Sequence, residues 1–219
     1  MLGALLNHRL DPLLYRIAKA LRALINPNYL TFLGTLANAA AAFFIAVGYW
    51  KIGAVGILVG GFFDLLDGAV ARTQGRATPF GAFFDSVMDR ISDFLVFIGL
   101  AFFYASRGEV WTLLLVLFAT MGSVLVPFCR ARAETVIPSC KVGVLERPER
   151  VILLTIGLLF GWMTPVLWIL AVLTHVTVLQ RVLYTRRFLR GEVQRQASPP
   201  PRQASRSTSQ EGSSPPPSP

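Results

Sequence analysis

Long apolar segments constrain this chain more than any other feature. A membrane-spanning helix needs about 20 consecutive, mainly apolar residues. Only 15% of the residues are charged, whereas soluble domains average about a quarter. We therefore expect an all-α integral membrane protein with six transmembrane helices, with Pro165 forming the turn before the last. The predicted spans are approximately 30–49, 52–72, 81–104, 110–129, 149–163 and 164–184.

The two ends of the chain differ in composition from the apolar middle. Residues 1–26 carry basic side chains among Leu, Ile and Ala, a pattern typical of an amphipathic helix on the membrane surface. Residues 191–219 are rich in Ser and Pro with few apolar side chains. Such a tail cannot bury a core and should be disordered. The six-helix domain is predicted at 27–190.

The formal net charge of +9 is distributed as in a membrane protein. Most Lys and Arg residues lie in alternate connections between the apolar segments, and the other connections keep only Lys51 and Arg107. This bias favours contact with anionic lipid over nucleic acid. It predicts both termini inside, in the inner (cytoplasmic) membrane, with loops 73–80 and 130–148 on that side.

Four aspartates lie within two of the apolar segments. Asp64 and Asp67 are three residues apart, and Asp85 and Asp89 are four apart, so each pair shares a helix face. A charge at the bilayer centre costs about 2.5–3.5 kcal/mol, and neighbouring carboxylates repel one another. A hard divalent cation such as Mg²⁺ or Mn²⁺ relieves both problems. Interhelical polar contacts, or an ion pathway in a transporter, are the alternatives.

The connection between the two aspartate helices contains a helix-start signal. Thr78 is a plausible N-cap, and Pro79 suits the first position of the helix that follows. We therefore expect Asp85 and Asp89 to lie on the early turns of that helix.

The aspartates belong to a longer spaced pattern, D-x2-D-G-x2-A-R-x8-G-x3-D-x3-D. Its fixed positions are Asp64, Asp67, Gly68, Ala71, Arg72, Gly81, Asp85 and Asp89. The pattern resembles the signature of the CDP-alcohol phosphatidyltransferase family, with every fixed position matched. The helix organisation is also similar to that family over roughly residues 10–190.

The resemblance implies an enzyme that transfers a phosphatidyl group from CDP-diacylglycerol to an alcohol and releases CMP. All four aspartates would hold Mg²⁺, or Mn²⁺, which neutralises the pyrophosphate. Asp89 would also be catalytic, as the general base for the acceptor hydroxyl. Gly68 would let the nucleotide approach the backbone, and Arg72 offers a fork of donors to phosphate.

The start of the first apolar segment resembles a second family stretch, P-x3-T. It runs from Pro27 to Thr31. The resemblance implies a CDP-diacylglycerol site formed by Asn28, Tyr29, Leu30, Thr31, Gly68, Arg72 and Thr78.

The second half resembles the phosphatidylinositol phosphate synthase branch of the family at the stretches 130–134, 146–150 and 180–181. This implies that Arg130, Arg150 and Arg181 bind a phosphate on the acceptor alcohol. Arg130 stands where that branch has Lys, which keeps the charge and changes the hydrogen-bond geometry. Inside-positive topology and lipid contact also explain arginines on this side.

The expected partners follow from the same resemblance. They are CDP-diacylglycerol, membrane lipid, a phosphorylated alcohol and a second copy of the chain in a homodimer. Inositol phosphate is the first expectation for the acceptor. Glycerol 3-phosphate, and so phosphatidylglycerophosphate synthesis, is the alternative.

Overall fold

The computed structural model describes Ala18 and Lys19, residues 26–74 and residues 78–197. These residues form six helices and no strand, which confirms the all-α prediction. The predicted surface helix over 1–26 lies outside the described residues, apart from those at 18, 19 and 26. The helices are α1 (Pro27–Ala46), α2 (Trp50–Gln74), α3 (Pro79–Ser106), α4 (Val110–Ala133), α5 (Arg147–Phe160) and α6 (Met163–Ala197).

Polar side chains fix where three of these helices begin. The Asn26 side chain accepts a hydrogen bond from the Asn28 amide before α1, at 3.2 Å. The prediction for α3 is confirmed, since Thr78 Oγ1 accepts from the Gly81 amide at 3.0 Å and Pro79 is the first helical residue. At α5, Glu146 and Glu149 form a capping box.

The turn between α5 and α6 differs from the sequence prediction. Gly161 ends α5 in the left-handed region, at φ 73° and ψ 18°, where a residue without Cβ is least strained. Pro165 lies in the first turn of α6, which begins at Met163. The prediction that Pro165 makes the turn is wrong, because proline is tolerated in a first helical turn.

The last helix is longer than the sequence suggested. α6 continues to Ala197, beyond the predicted end of the span at 184 and past the predicted start of the tail at 191. The added turns contain Arg, Leu, Glu and Gln, which are good helix formers outside a membrane as well. The rest of the predicted tail, 198–219, lies outside the described residues.

Four helices are long and apolar enough to cross a membrane: α1, α2, α4 and the Met163–Gly191 part of α6. α5 falls short because it has only 14 residues. α3 has the length, but Asp89, Arg90 and Asp93 interrupt its apolar sequence. The chain is therefore an integral membrane protein, and a count of six spans remains a prediction.

The helices pack so that α1 contacts both α2 and α3, while α4 packs on α6. α5 contacts α2 and α6. Leu100, Val116 and Leu167 are fully buried in the main apolar core. The starts of α1, α3 and α5 and the ends of α2 and α4 lie at one end of this bundle, and the predicted site residues are concentrated there.

Candidate active site

Three aspartates from two helices meet at this end of the bundle. Asp64 and Asp67 of α2 and Asp85 of α3 each place a carboxylate oxygen within 4.8 Å of the others. Asp67 is buried, and its Oδ2 accepts a hydrogen bond of 2.5 Å from Thr31 Oγ1 of α1. Asp85 Oδ1 is buried and has no hydrogen-bond partner among the described residues. A trio of carboxylates with an unpartnered oxygen fits a hard divalent cation.

Asp89 is held differently from this trio. Its Oδ1 lies 2.8 Å from Arg147 Nη1, which also lies 2.7 Å from Asp64 Oδ2. The Nε of Arg147 is 3.6 Å from Asp93 Oδ1. The structure thus brings three of the four predicted ligands together and joins the fourth to them through an arginine. Arg147 is a site residue that the sequence did not predict.

A cleft of about 430 Å³ opens beside the trio. The starts of α1 and α3 both face it, and helix N-termini present free N–H groups that suit phosphate. Five predicted CDP-diacylglycerol residues line it: Asn28, Thr31, Gly68, Arg72 and Thr78. The other two do not. Tyr29 is 69% exposed, and Leu30 is buried against Leu66 and Val70.

The predicted acceptor arginines fall into two groups. Arg130 lies 3.8 Å and Arg181 lies 3.5 Å from the same oxygen of Glu146. Arg150 instead lies 2.6 Å from Asp93 Oδ2 and is 3% exposed. Arg181 is also buried, and it donates to the carbonyl oxygens of Val126 and Val142. Arg130 is therefore the most accessible of the three. Arg181 uses much of its hydrogen-bonding capacity on backbone carbonyl groups within the fold.

The loop at 134–146, which carries Glu146, is anchored at both ends. Thr177 Oγ1 of α6 accepts from the amides of Val144 and Leu145 at 3.3 and 3.1 Å. At the other end, the Cys140 amide donates to Glu134 Oε1 at 3.2 Å. This hydrogen bond and the nearby Arg130 guanidinium lower the pKa of the Glu134 carboxyl. The anchored loop leads directly into α5 and so sets the position of Arg147.

Residues 24–180 match the family model described as CDP-alcohol phosphatidyltransferase. The chain belongs to the CDP-alcohol phosphatidyltransferase family. The match spans all the site residues above except Arg181. This membership favours a phosphatidyltransferase site over a transporter's ion pathway as the role of the aspartates.

Curated relatives of this phosphatidyltransferase share most of its length. It is 38% identical to the archaetidylinositol phosphate synthase of Methanothermobacter thermautotrophicus, over 80% of this chain and 87% of the relative. It is also 38% identical to the phosphatidylinositol phosphate synthase of Mycolicibacterium smegmatis, over 76% of this chain and 80% of that one.

Solved structures agree with this membership. The phosphatidyltransferase matches the Mycobacterium tuberculosis phosphatidylinositol phosphate synthase crystallised with CDP-DAG bound, with a TM-score of 0.73 and 33% identity. The match covers 78% of this chain and 92% of that one. The same mycobacterial protein in complex with manganese and citrate matches with a TM-score of 0.70 and 34% identity, over 78% of this chain and 88% of that one.

The mycobacterial structure contains manganese, and the carboxylate trio of this phosphatidyltransferase fits a divalent cation of that kind, Mg²⁺ or Mn²⁺. Asp64, Asp67 and Asp85 are the residues whose geometry fits it. When bound, such an ion neutralises phosphate oxygens and stabilises charge that develops on a leaving group.

Proposed function

We propose that the chain transfers the phosphatidyl group of CDP-diacylglycerol to an inositol phosphate and releases CMP. The observation that carries the proposal is the position of the aspartates between two differently built surfaces. On one side is the cleft that Gly68, Arg72 and Thr78 line. On the other side are the arginines that flank Glu146 and Asp93.

The donor side suits a nucleotide-linked pyrophosphate. Gly68 leaves room beside the backbone, since the atom nearest to a Cβ built there is Nη1 of Arg72, at 3.5 Å. Arg72 and the helix starts supply donors to phosphate. The cleft is large enough for part of a nucleotide headgroup, with the acyl chains remaining in lipid.

The acceptor side suits an alcohol that carries its own phosphate. Arg130 offers a partly exposed guanidinium, and Glu146 holds Arg181 next to it. A neutral polyol needs no such charge, whereas a phosphate gains charge-assisted hydrogen bonds from it. The names of the inositol phosphate synthases among the relatives support inositol over glycerol as the polyol.

The proposed reaction exchanges a phosphoanhydride bond for a phosphoester bond. The acceptor hydroxyl oxygen bonds to the phosphorus attached to diacylglycerol, and the bond from that phosphorus to the oxygen of CMP breaks. CMP leaves with the electron pair. Asp89 takes the hydroxyl proton, and Arg147 orients the Asp89 carboxylate from 2.8 Å.

The proposal includes the setting of the enzyme. The charge bias supports an inner-membrane location with the site and both termini in the cytoplasm. CDP-diacylglycerol and bilayer lipid are its membrane partners, the phosphorylated alcohol is its aqueous partner, and a homodimer is its proposed assembly.

One assay tests the acceptor. Purified chain in detergent with Mg²⁺ and CDP-diacylglycerol is given inositol 1-phosphate, inositol, glycerol 3-phosphate or serine, and CMP release is measured. We expect release with inositol 1-phosphate. Release with glycerol 3-phosphate alone would replace the inositol assignment with phosphatidylglycerophosphate synthesis.

The base assignment has its own test. Asp89→Asn should reduce turnover at least about a hundredfold, since general-base catalysis contributes 10²–10⁴-fold, and should still bind CDP. Glu109→Gln, at the start of α4, serves as a control with unchanged turnover. Normal activity of Asp89→Asn would remove Asp89 as the base.

A further inference from the structure

Arg147 binds two carboxylates that also serve the metal and the acceptor. One of its nitrogens, Nη1, contacts Asp64 and Asp89 at 2.7 and 2.8 Å. Asp64 also belongs to the carboxylate trio that fits the divalent cation. A cation that binds Asp64 must therefore compete with the guanidinium for the same carboxylate.

Arg147 also has another carboxylate nearby that can replace Asp64 as its partner. Within the part of the chain that the structure describes, its Nε is buried without a hydrogen-bond partner, although Asp93 Oδ1 lies only 3.6 Å away. A small movement toward Asp93 would turn this long ion pair into a hydrogen bond. Asp93 already holds Arg150 at 2.6 Å through its other oxygen, so the carboxylate is fixed in place to receive a second arginine.

We propose that Arg147 is an exchange cation. It neutralises Asp64 and Asp89 when the metal is absent, and when the metal takes Asp64 it keeps Asp89 and forms a hydrogen bond to Asp93. The bundle thereby avoids an uncompensated cluster of buried carboxylates while it is empty. The same contacts weaken metal binding, because each bound ion must first displace a charge-assisted hydrogen bond.

The exchange has a consequence for the acceptor that rests on the proposed function. Arg147 follows Glu146 directly in the chain, and Glu146 faces Arg130 and Arg181. A guanidinium released from Asp64 can therefore contribute to binding the acceptor's phosphate. Metal and acceptor phosphate would then each strengthen the binding of the other, as reciprocal linkage requires.

Manganese binding to the full chain, without CDP-diacylglycerol, tests the exchange. The free Mn²⁺ electron paramagnetic resonance signal gives the dissociation constant for wild type, Arg147→Gln and Arg132→Gln. Arg132 is exposed in the last turn of α4, so Arg132→Gln removes the same charge at this end of the bundle without touching Asp64, Asp89 or Asp93. We expect Arg147→Gln to bind Mn²⁺ roughly tenfold more tightly than wild type, the size of one charged hydrogen bond. Arg132→Gln should stay within about twofold.

Equal tightening in both variants would show a general charge effect and would overturn the exchange, as would wild-type affinity in Arg147→Gln. If Arg147→Gln does not fold, Arg147→Lys replaces it. Lysine keeps the charge but lacks the planar fork, so we expect tighter Mn²⁺ binding than in wild type. Wild-type affinity in Arg147→Lys would then reject the proposal.

A second titration separates this inference from the proposed function. Inositol 1-phosphate should tighten Mn²⁺ binding to wild type, inositol should not, and Arg147→Gln should lose the effect. An Arg147-dependent Mn²⁺ affinity without CMP release from inositol 1-phosphate would reject the acceptor and retain the exchange. CMP release with no effect of Arg147 on Mn²⁺ affinity would do the reverse.

Discussion

At the level of single side chains, the hydroxyl of Thr31 joins α1 to a carboxylate of α2. It donates to the buried Asp67 at 2.5 Å. The resemblance to the family placed Thr31 in the CDP-lipid site, and the residue does line the cleft. The hydrogen bond adds another role, because a partner that orients a metal-binding carboxylate also tunes its affinity.

Thr31→Val tests this role with a side chain of the same shape. We expect Mn²⁺ affinity to fall roughly 10–100-fold, the usual effect of losing such an orienting contact. Thr35→Val is the matched control, since the Thr35 hydroxyl lies one turn further along α1 and bonds to the Thr31 carbonyl and the Ser92 hydroxyl. Equal losses in the two variants, measured by Mn²⁺ titration, would assign the effect to helix packing.

The sequence predicted the three carboxylates that meet, because their contact depends on local spacing. It missed Arg147, because that contact depends on tertiary structure. Asp64 and Asp67 share a helix face through local spacing, and a short connection brings Asp85 beside them. Arg147 reaches Asp64 across 83 positions of sequence, and that contact depends on how the loop before α5 is tied down. Helical periodicity contains no such information.

At the level of elements, α5 is positioned by the loop that precedes it. Thr177 receives two amide hydrogens from this loop. Gly143, with φ of 139°, passes close to the Thr177 side chain, where a Cβ would meet its methyl group. The loop and α6 therefore hold Arg147 in place from a distance.

Thr177→Val should loosen this loop. Two amides lose their acceptor, at about 1–3 kcal/mol for each one left buried and unpaired. We expect the KM for the acceptor to rise roughly tenfold, with the KM for CDP-diacylglycerol unchanged, and faster proteolysis within 134–146. Thr185→Val is the control, because among the described residues its hydroxyl bonds only to the Arg181 carbonyl in the same helix. A parallel rise in both KM values would contradict a local role.

The contact between α1 and α3 depends on a missing side chain. A Cβ at Gly99 would overlap the backbone of Ala42, whereas a Cβ at Gly61 would meet nothing within 4 Å. Gly99→Ala should therefore destabilise the protein by about 1–3 kcal/mol and lower the thermal unfolding midpoint in detergent. Gly61→Ala should leave it unchanged or raise it, since alanine is the better helix former. The opposite order would contradict the packing.

The helix positions were predicted well because apolar length is a local property of the sequence. Each predicted span overlaps one observed helix, and Thr78 begins α3 as expected. The end of α6 was missed because its last turns are polar, so hydropathy ended the prediction where the apolar residues stop. The sequence predicts the turn at Pro165 because proline and glycine are both common at helix ends. The chain turns at Gly161 instead, and its left-handed φ cannot be deduced from helix-breaking residues alone.

At the level of the whole molecule, the helix ends and their connections form two opposite surfaces. The connection at 107–109 lies at one end of the bundle, and the loop at 134–146 lies at the other. The charge bias predicts that the second faces the cytoplasm. Exposed positions in both connections allow this orientation to be measured.

Cysteine labelling of intact cells measures it. In a Cys129→Ser background, Cys140 remains fully buried, whereas Glu109 and Val136 are exposed. A membrane-impermeant maleimide should label Glu109→Cys directly and Val136→Cys only after permeabilisation. Direct labelling of Val136→Cys alone would reverse the proposed orientation.

Phe80 and Phe83 precede and follow the cleft residues Gly81 and Ala82, and each is 64% exposed. We expect these rings to lie in lipid, so that the proposed donor reaches the site by lateral diffusion within the bilayer while the acceptor arrives from water. The relevant concentration of donor is then its mole fraction at the surface. Inert detergent added at constant total donor should slow turnover by surface dilution, and the same addition should leave acceptor saturation unchanged.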